Sequence, residues 1–193
     1  MLFTYAKGAT PLSPDEVYNL IPSHLMTQKE LDEWEQYNII KAETWASQRK
    51  RADFLSTKFV VDLHKKMFNE TWKWAGKFRT RQTNIGIEAI HIPVELKLLF
   101  DDIEFWIENA TYHPREIAVR LHHRLVFIHP FPNGNGRLSR LVADLYMDYQ
   151  GQARFSWGSC NLTSDSAVRQ AYLSALREAD LGDYMHLIEF SDS

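Results

Sequence analysis

"HPFPNGNGRLSR", residues 129–140, joins two strongly helical stretches and asks more of its residues than a connector needs. Upstream, "PREIAVRLHHRLVFI" opens on Pro114 and places Ile117, Leu121 and Leu125 on one stripe. Downstream, "RLSRLVADLYMDYQG" keeps a helical period until Gly151. A turn between two such helices requires about one glycine. This one has Gly134 and Gly136, a histidine at its entrance, and Arg137 and Arg140 at its exit. A helix beginning near Gly136 exposes backbone N–H groups that have no intrahelical acceptor, together with the positive end of its dipole. Glycines just before it let an anion approach the backbone, which is how phosphate cradles are built. Arg137 and Arg140, at i and i+3, turn toward one anion, and two guanidinium forks suit a polyphosphate better than one. His129 has an ordinary pKa of about 6.5, so beside that anion it can act as a general base. Asn133 offers an uncharged oxygen to a hard cation such as Mg²⁺. Each feature alone has a plainer reading: a connector turn, a solvated arginine pair, a histidine at a helix boundary. Their arrival within twelve residues favours a polyphosphate site with a histidine poised beside it.

The rest of the chain is consistent with a soluble protein. Its 193 residues are 45% hydrophobic, with six Trp, eight Tyr and eleven Phe, ample for one core. A formal net charge of −3 provides no basic field for nucleic acid. The lone Cys160 cannot pair within the chain, which fits a reducing cytoplasm. The N-terminus lacks a basic segment followed by an apolar run, and no apolar run approaches the roughly 18–20 residues of a membrane span.

Residues 1–26, punctuated by Pro11, Pro14 and Pro22, read as an irregular arm, and residues 27–193 as one domain. Thr27 and Glu30 have capping-box spacing before "TQKELDEWEQYNIIKAETWAS", whose Leu31, Trp34, Ile39, Ala42 and Trp45 form an apolar face. "STKFVVDLHKKMFNE" predicts a second helix with Ser56 as its cap, and its His64 reads as a packing residue. Alternating isoleucines in "RTRQTNIGIEAIHI" (79–92) predict a short β-hairpin. Pro93 then opens "PVELKLLFDDIEFWIENA", and two closing helices are expected near 164–179 and 183–190. The fold class is therefore all-α with one hairpin. His122, His123 and His129 lack an acidic or cysteine partner at ligand spacing, so they read as packed or solvated rather than metal-binding.

The quoted loop resembles the signature H-x-F-x-[DE]-G-N-G-R-x-x-R of the Fic (Fic/Doc) family. His129, Phe131, Gly134, Asn135, Gly136, Arg137 and Arg140 all fall on its fixed positions. "LHKKMFNETWKWAGKFRT" resembles the helix and "WAGxxR" segment upstream, and "AYLSALREADLGDYMHLIEF" the closing helices, so the likeness covers roughly residues 55–190. The arm "ATPLSPDEVYNLIP" with "ELDEWEQYNI" is similar to a bacterial subgroup called mobile mystery protein B.

The resemblance implies a Fic-type helical bundle. It also implies transfer of AMP from ATP, with Mg²⁺ or Mn²⁺, to a Ser, Thr or Tyr hydroxyl of a target protein. His129 would take the hydroxyl proton, Gly134, Asn135 and Gly136 would hold phosphate oxygens, and Arg137 and Arg140 the β- and γ-phosphates. Asn133 would stand at the metal position. Thr83, Asn84, Ile85, Gly86 and Ile87 would form a flap that registers the target by strand addition. The sequence departs from the family pattern at Asn133, where Asp or Glu is usual, which leaves open a different nucleotide donor or a catalytically silent nucleotide-binding module. Gly136 stands where the kinase-like Doc branch has Lys. The family's inhibitory motif [ST]-x-x-x-E-[GN] is approached only by Ser174 to Glu178, followed by Ala179, within the expected closing helix. Control would otherwise fall to a separate antitoxin-like partner or to Asn133 itself.

Overall fold

The computed structural model describes residues 18–23, 25, 28–49, 51–159 and 167–193. Thr27 with its capping box, most of the proline-rich arm, Cys160 and the predicted start of the last long helix lie outside the described residues. The described helices are α1 (Gln28–Ser47), α2 (Arg51–Phe54), α3 (Thr57–Phe68), α4 (Ile92–Glu108), α5 (Pro114–Ile128), α6 (Asn135–Tyr149), α7 (Ala167–Asp180) and α8 (Met185–Asp192). Short 3₁₀ turns occupy Ala89–His91 and Trp157–Ser159.

The helix starts are chemical. Ser56 caps α3 by accepting a hydrogen bond from the Phe59 N–H at 3.1 Å. Prolines occupy the first turns of α4 and α5, where the missing N–H has no intrahelical acceptor to lose. The α5–α6 pair forms the largest helix–helix contact among the described residues, and α1 packs on α3. Phe54, Leu63, Met67, Phe68, Ile92, Leu96, Ile103, Leu121, Leu125 and Leu138 are almost fully buried between these helices.

The buried face of α1 differs from the expected one. Leu31, Glu35, Asn38, Ala42 and Ala46 are buried, whereas Trp34, Ile39 and Trp45 are only partly covered. Two polar residues enter the core because they find partners there. Asn38 Nδ2 donates to the Trp34 carbonyl at 2.9 Å. The Glu35 carboxylate receives the Trp72 indole N–H at 2.7 Å.

The expected hairpin is not a ladder. Residues 81–88 run as a chain of bends into the Ala89–His91 turn, and the only β-pairing among the described residues is the isolated bridge Leu20–Trp72. Side chains close this segment instead. Gln82 Nε2 donates to the Gly86 carbonyl at 3.1 Å, and the Thr83 hydroxyl to the Ile85 carbonyl at 2.5 Å. These bonds engage the carbonyls a partner strand would have needed.

Candidate active site

His129 is the last residue of the α5 turn and takes a left-handed conformation, φ 51° and ψ 59°. That region is costly for a residue bearing a Cβ, so surrounding bonds must hold it. Arg79, itself buried, provides them. Its Nε donates to the His129 carbonyl at 2.6 Å, and Nη2 to the Ile128 carbonyl at 3.3 Å, satisfying orphan acceptors at the end of α5. Arg79 also donates to the carbonyls of Arg81 and Ile87. One guanidinium thus ties residues 81–87 to the histidine. Gly86, at φ 99°, lies so close that a Cβ there would sit 2.6 Å from the His129 Cβ.

The loop beyond is held from inside. Phe131 is fully buried and stacks on His64, with ring centroids 3.7 Å apart and an interplanar angle of 4°. His64 Nδ1 accepts from the Gly76 N–H at 2.9 Å, so its Nε2 carries the proton and donates to the Asn133 carbonyl at 3.1 Å. The packing role expected for His64 is present, with loop positioning added to it. Asn135 makes a reciprocal pair with Phe131: Oδ1 accepts from the Phe131 N–H at 2.9 Å and Nδ2 donates to its carbonyl at 2.8 Å. Both ends of that amide therefore build the loop, leaving Asn135 its backbone N–H and the second Nδ2 hydrogen as donors.

Gly134, at φ 79°, caps α6 without a side-chain bond. The first intrahelical bond runs from the Leu138 N–H to the Gly134 carbonyl at 2.9 Å, so the amides of residues 135–137 precede the ladder. A Cβ on Gly134 would lie 2.5 Å from the Phe68 ring. Gly134→Ala combines that clash with a left-handed backbone, and its expected cost is about 2–4 kcal/mol of stability. Urea unfolding measures it, and an unchanged midpoint would contradict this geometry.

The two arginines have different neighbours. Arg137 is paired with Glu35 Oε2 at 2.5 Å and lies over the Phe68 ring, 4.8 Å from its centroid. Glu35 is buried, and its other oxygen is the one held by Trp72. Arg140 folds back along α6, its Nη1 lying 3.7 Å from where a Gly136 Cβ would be. Asn133 Oδ1 accepts from the Gly134 N–H at 2.6 Å, which engages the one side-chain oxygen expected to face a metal. No group of three or more His, Cys, Asp or Glu able to hold a metal occurs among the described residues.

Burial and the nearby Arg79 charge push the His129 pKa down to about 4, against a smaller opposing effect of the Val126 backbone carbonyl. The imidazole is neutral at pH 7, the form a base needs. Burial likewise drives His64 to about 3 and holds His122 well below its ordinary value. In the unfolded chain these groups protonate near 6.5, so below that pH the unfolded state binds more protons and stability falls with pH. Between pH 6.5 and pH 4, His64 and His129 should each remove on the order of 1 kcal/mol per pH unit. Urea midpoints from pH 7.5 to pH 4.5 test this, and a flat profile would contradict neutral burial.

Thr83–Ile87 lie beside His129 through Gly86, with Ile85 exposed. Glu178, the sequence candidate for an inhibitory glutamate, accepts from Ser174 and pairs with His186 rather than with either loop arginine. His123 bonds Asp180 at 2.9 Å and Tyr184 at 3.0 Å. Sequence reading missed Glu35 and the role of Arg79. Glu35 has Leu31 four residues before it and Gln36 after it, so a search for Ser or Thr at that spacing passes over it. Arg79 sits in the quoted "WAGKFRT" segment, and that position was the available signal.

The Fic/DOC family model matches residues 54–147. Protein adenylyltransferase Fic of Aedes aegypti is 28% identical over 142 residues, 72% of this chain and 27% of that protein. Protein adenylyltransferase Fic of Drosophila melanogaster is 29% identical over 140 residues. The chain therefore spans about a quarter of the length of the curated relatives it matches. Among solved structures, Fic-1 of C. elegans superposes with TM-score 0.67 at 24% identity, over 92% of this chain and 51% of that one. BepC of Bartonella tribocorum, solved with bound AMPPNP, gives 0.69 at 18% identity, over 97% and 93%. No described helix is long and apolar enough to cross a membrane.

Proposed function

We propose, from the premise that residues 54–147 form a Fic/DOC-family domain, that the chain is a protein adenylyltransferase, moving AMP from ATP to a Ser, Thr or Tyr hydroxyl of another protein. One observation carries the reading: a buried, neutral histidine is fixed in a strained conformation on the loop that delivers the uncapped amides of α6 and two arginines. In the reaction, His129 accepts the proton of the incoming hydroxyl, the hydroxyl oxygen bonds to the α-phosphorus, and the bond to the β-phosphate oxygen breaks. Pyrophosphate leaves. The N–H groups of residues 135–137 and the guanidinium groups of Arg137 and Arg140 stabilise the charge that gathers on it. The adenylyltransferase names of the relatives and the AMPPNP bound to the Bartonella protein support this choice of donor.

A divalent cation enters this scheme as the nucleotide's own counter-ion, because position 133 contributes no charge and its oxygen faces Gly134. Thr83–Ile87 are the proposed target-docking segment. Docking by strand addition requires the Gln82 and Thr83 side chains to release the carbonyls they hold. Regulation by a separate antitoxin-like protein, a cytoplasmic site of action and kinship with bacterial mobile mystery protein B are part of the same proposal. The single cysteine and the "ATPLSPDEVYNLIP" arm support the last two. A second reading, a nucleotide-binding module that does not turn over, is favoured by Asn133 and by the Glu35 carboxylate on Arg137.

Mass spectrometry of host-cell proteins incubated with the chain and ATP tests the proposal. AMP-modified hydroxyl residues absent from a His129→Ala control are expected. ATP binding with no modified protein would favour the silent module.

A further inference from the structure

The outer face of α3 concentrates positive charge that lacks a counter-charge. Lys58, Asp62, Lys65, Lys66 and Asn69 fall on one stripe at helical spacing. With Trp45 near the end of α1 and Arg49 just beyond it, they line an open cleft of about 360 Å³, the size of a small-ligand site. No residue of the 129–140 loop lines it. The lining has four cations, all exposed, and one carboxylate, in a chain whose net charge is −3. On α1 and α4 the exposed Lys29 and Lys97 have carboxylates one turn away and pair with them, Glu33 and Asp101. Lys66 has two such neighbours, Asp62 and Glu70, but Asp62 pairs with Lys58 and Glu70 with Lys41. Arg49, Lys65 and Lys66 make no ion pair among the described residues.

Trp45 gathers two of these cations. The Arg49 Cζ lies 4.5 Å from a Trp45 ring centroid, and the Lys66 Nζ lies 6.0 Å away. The same side chain stacks on buried Phe59, with centroids 5.9 Å apart and an interplanar angle of 18°. A guanidinium and an ammonium are thus drawn to one ring, at a cost in like-charge repulsion that a bound anion relieves. A cleft walled by one sign of charge also focuses its field and concentrates counter-ions. We propose that this cleft binds a chain of linked phosphates, held by Arg49, Lys65 and Lys66 with the Asn69 amide as a further donor. Arginine's planar fork matches phosphate oxygens, and three cations suit several linked phosphates better than one carboxylate. Trp45 is engaged by Phe59 and the two cations and gives no platform for a base, so the phosphates are what is recognised. The ligand is an inorganic oligophosphate or the phosphate chain of a nucleotide. This second anion site does not depend on the reading of the 129–140 loop.

Side-chain NMR of the full chain, at a salt concentration of about 0.15 M, tests it with inorganic tripolyphosphate, ATP and AMP as probes. The Arg49 ¹⁵Nε signal and the Lys65 and Lys66 ¹³Cε signals report on the cleft itself, whatever binds at the loop. They should move with tripolyphosphate, and about tenfold more AMP should be needed for the same shift. A matching response to ATP would make nucleotides a source of the ligand, and a response to tripolyphosphate that ATP does not reproduce would restrict it to the inorganic chain. Cleft signals that move with ATP but not with tripolyphosphate, or with neither, overturn the inference. Substituting Lys65→Gln and Lys66→Gln together keeps both stems and should raise the tripolyphosphate midpoint of the Arg49 signal about tenfold. Lys29→Gln with Lys97→Gln removes the same charge outside the cleft and should leave that midpoint unchanged. An unchanged midpoint in the first variant, or an equal rise in both, overturns the site.

Discussion

His129→Ala should reduce the single-turnover rate of AMP transfer by about 10²–10⁴-fold while leaving ATP affinity within about twofold. The two effects separate because the proposed phosphate contacts belong to other atoms: the amides of residues 135–137, at the uncapped start of α6, and the guanidinium groups of Arg137 and Arg140. The histidine contributes a neutral imidazole whose proton affinity matters when the hydroxyl attacks. Alanine also relieves the left-handed strain at position 129 only in part, since the Arg79 bonds are to backbone carbonyls and survive the substitution. Loop geometry is therefore expected to hold. Quenched-flow transfer assays read the rate and calorimetry the affinity. Loss of both together would mean that the side chain holds the loop rather than performs the chemistry.

Glu35 carries the second large effect, and its two consequences have opposite signs. The carboxylate is buried, with Trp72 on one oxygen and Arg137 on the other. Removing one partner of such a pair leaves the other desolvated and uncompensated, so Glu35→Ala should cost about 3–5 kcal/mol of stability. Glu35→Gln keeps an oxygen for the Trp72 N–H and should cost less. For an incoming triphosphate the same carboxylate would be unfavourable, because it is a like charge beside the guanidinium proposed to hold the phosphates. Glu35→Gln should accordingly bind ATP about tenfold more tightly than wild type although it is less stable. Urea unfolding and calorimetry on one preparation read both. Weaker ATP binding by Glu35→Gln would show instead that the carboxylate holds Arg137 in its phosphate-binding position.

The helical architecture was legible because its signals are local. Ser56, Pro93 and Pro114 begin helices by capping and φ chemistry that needs no tertiary partner. The site loop was legible for the same reason: histidine, glycines and both arginines lie within twelve residues. What escaped sequence reading depends on distant partners. Glu35 meets Arg137 across most of the chain, and nothing in "DEWEQYN" distinguishes it from the exposed Glu33. The reciprocal bonds between the Asn135 amide and the Phe131 backbone follow from the shape of the loop and not from any spacing in the sequence. The isoleucine alternation of 85–92 suggested a strand, yet strand pairing requires free carbonyls, and Arg79, Gln82 and Thr83 hold three of them.

The most direct test of the central claim is parallel labelling with α-³²P-ATP and γ-³²P-ATP, using wild-type chain, His129→Ala and host-cell lysate in Mg²⁺ or Mn²⁺. The account predicts protein label from the α-phosphate alone, lost in His129→Ala. Label from the γ-phosphate, or α-label that survives removal of the histidine, would contradict it.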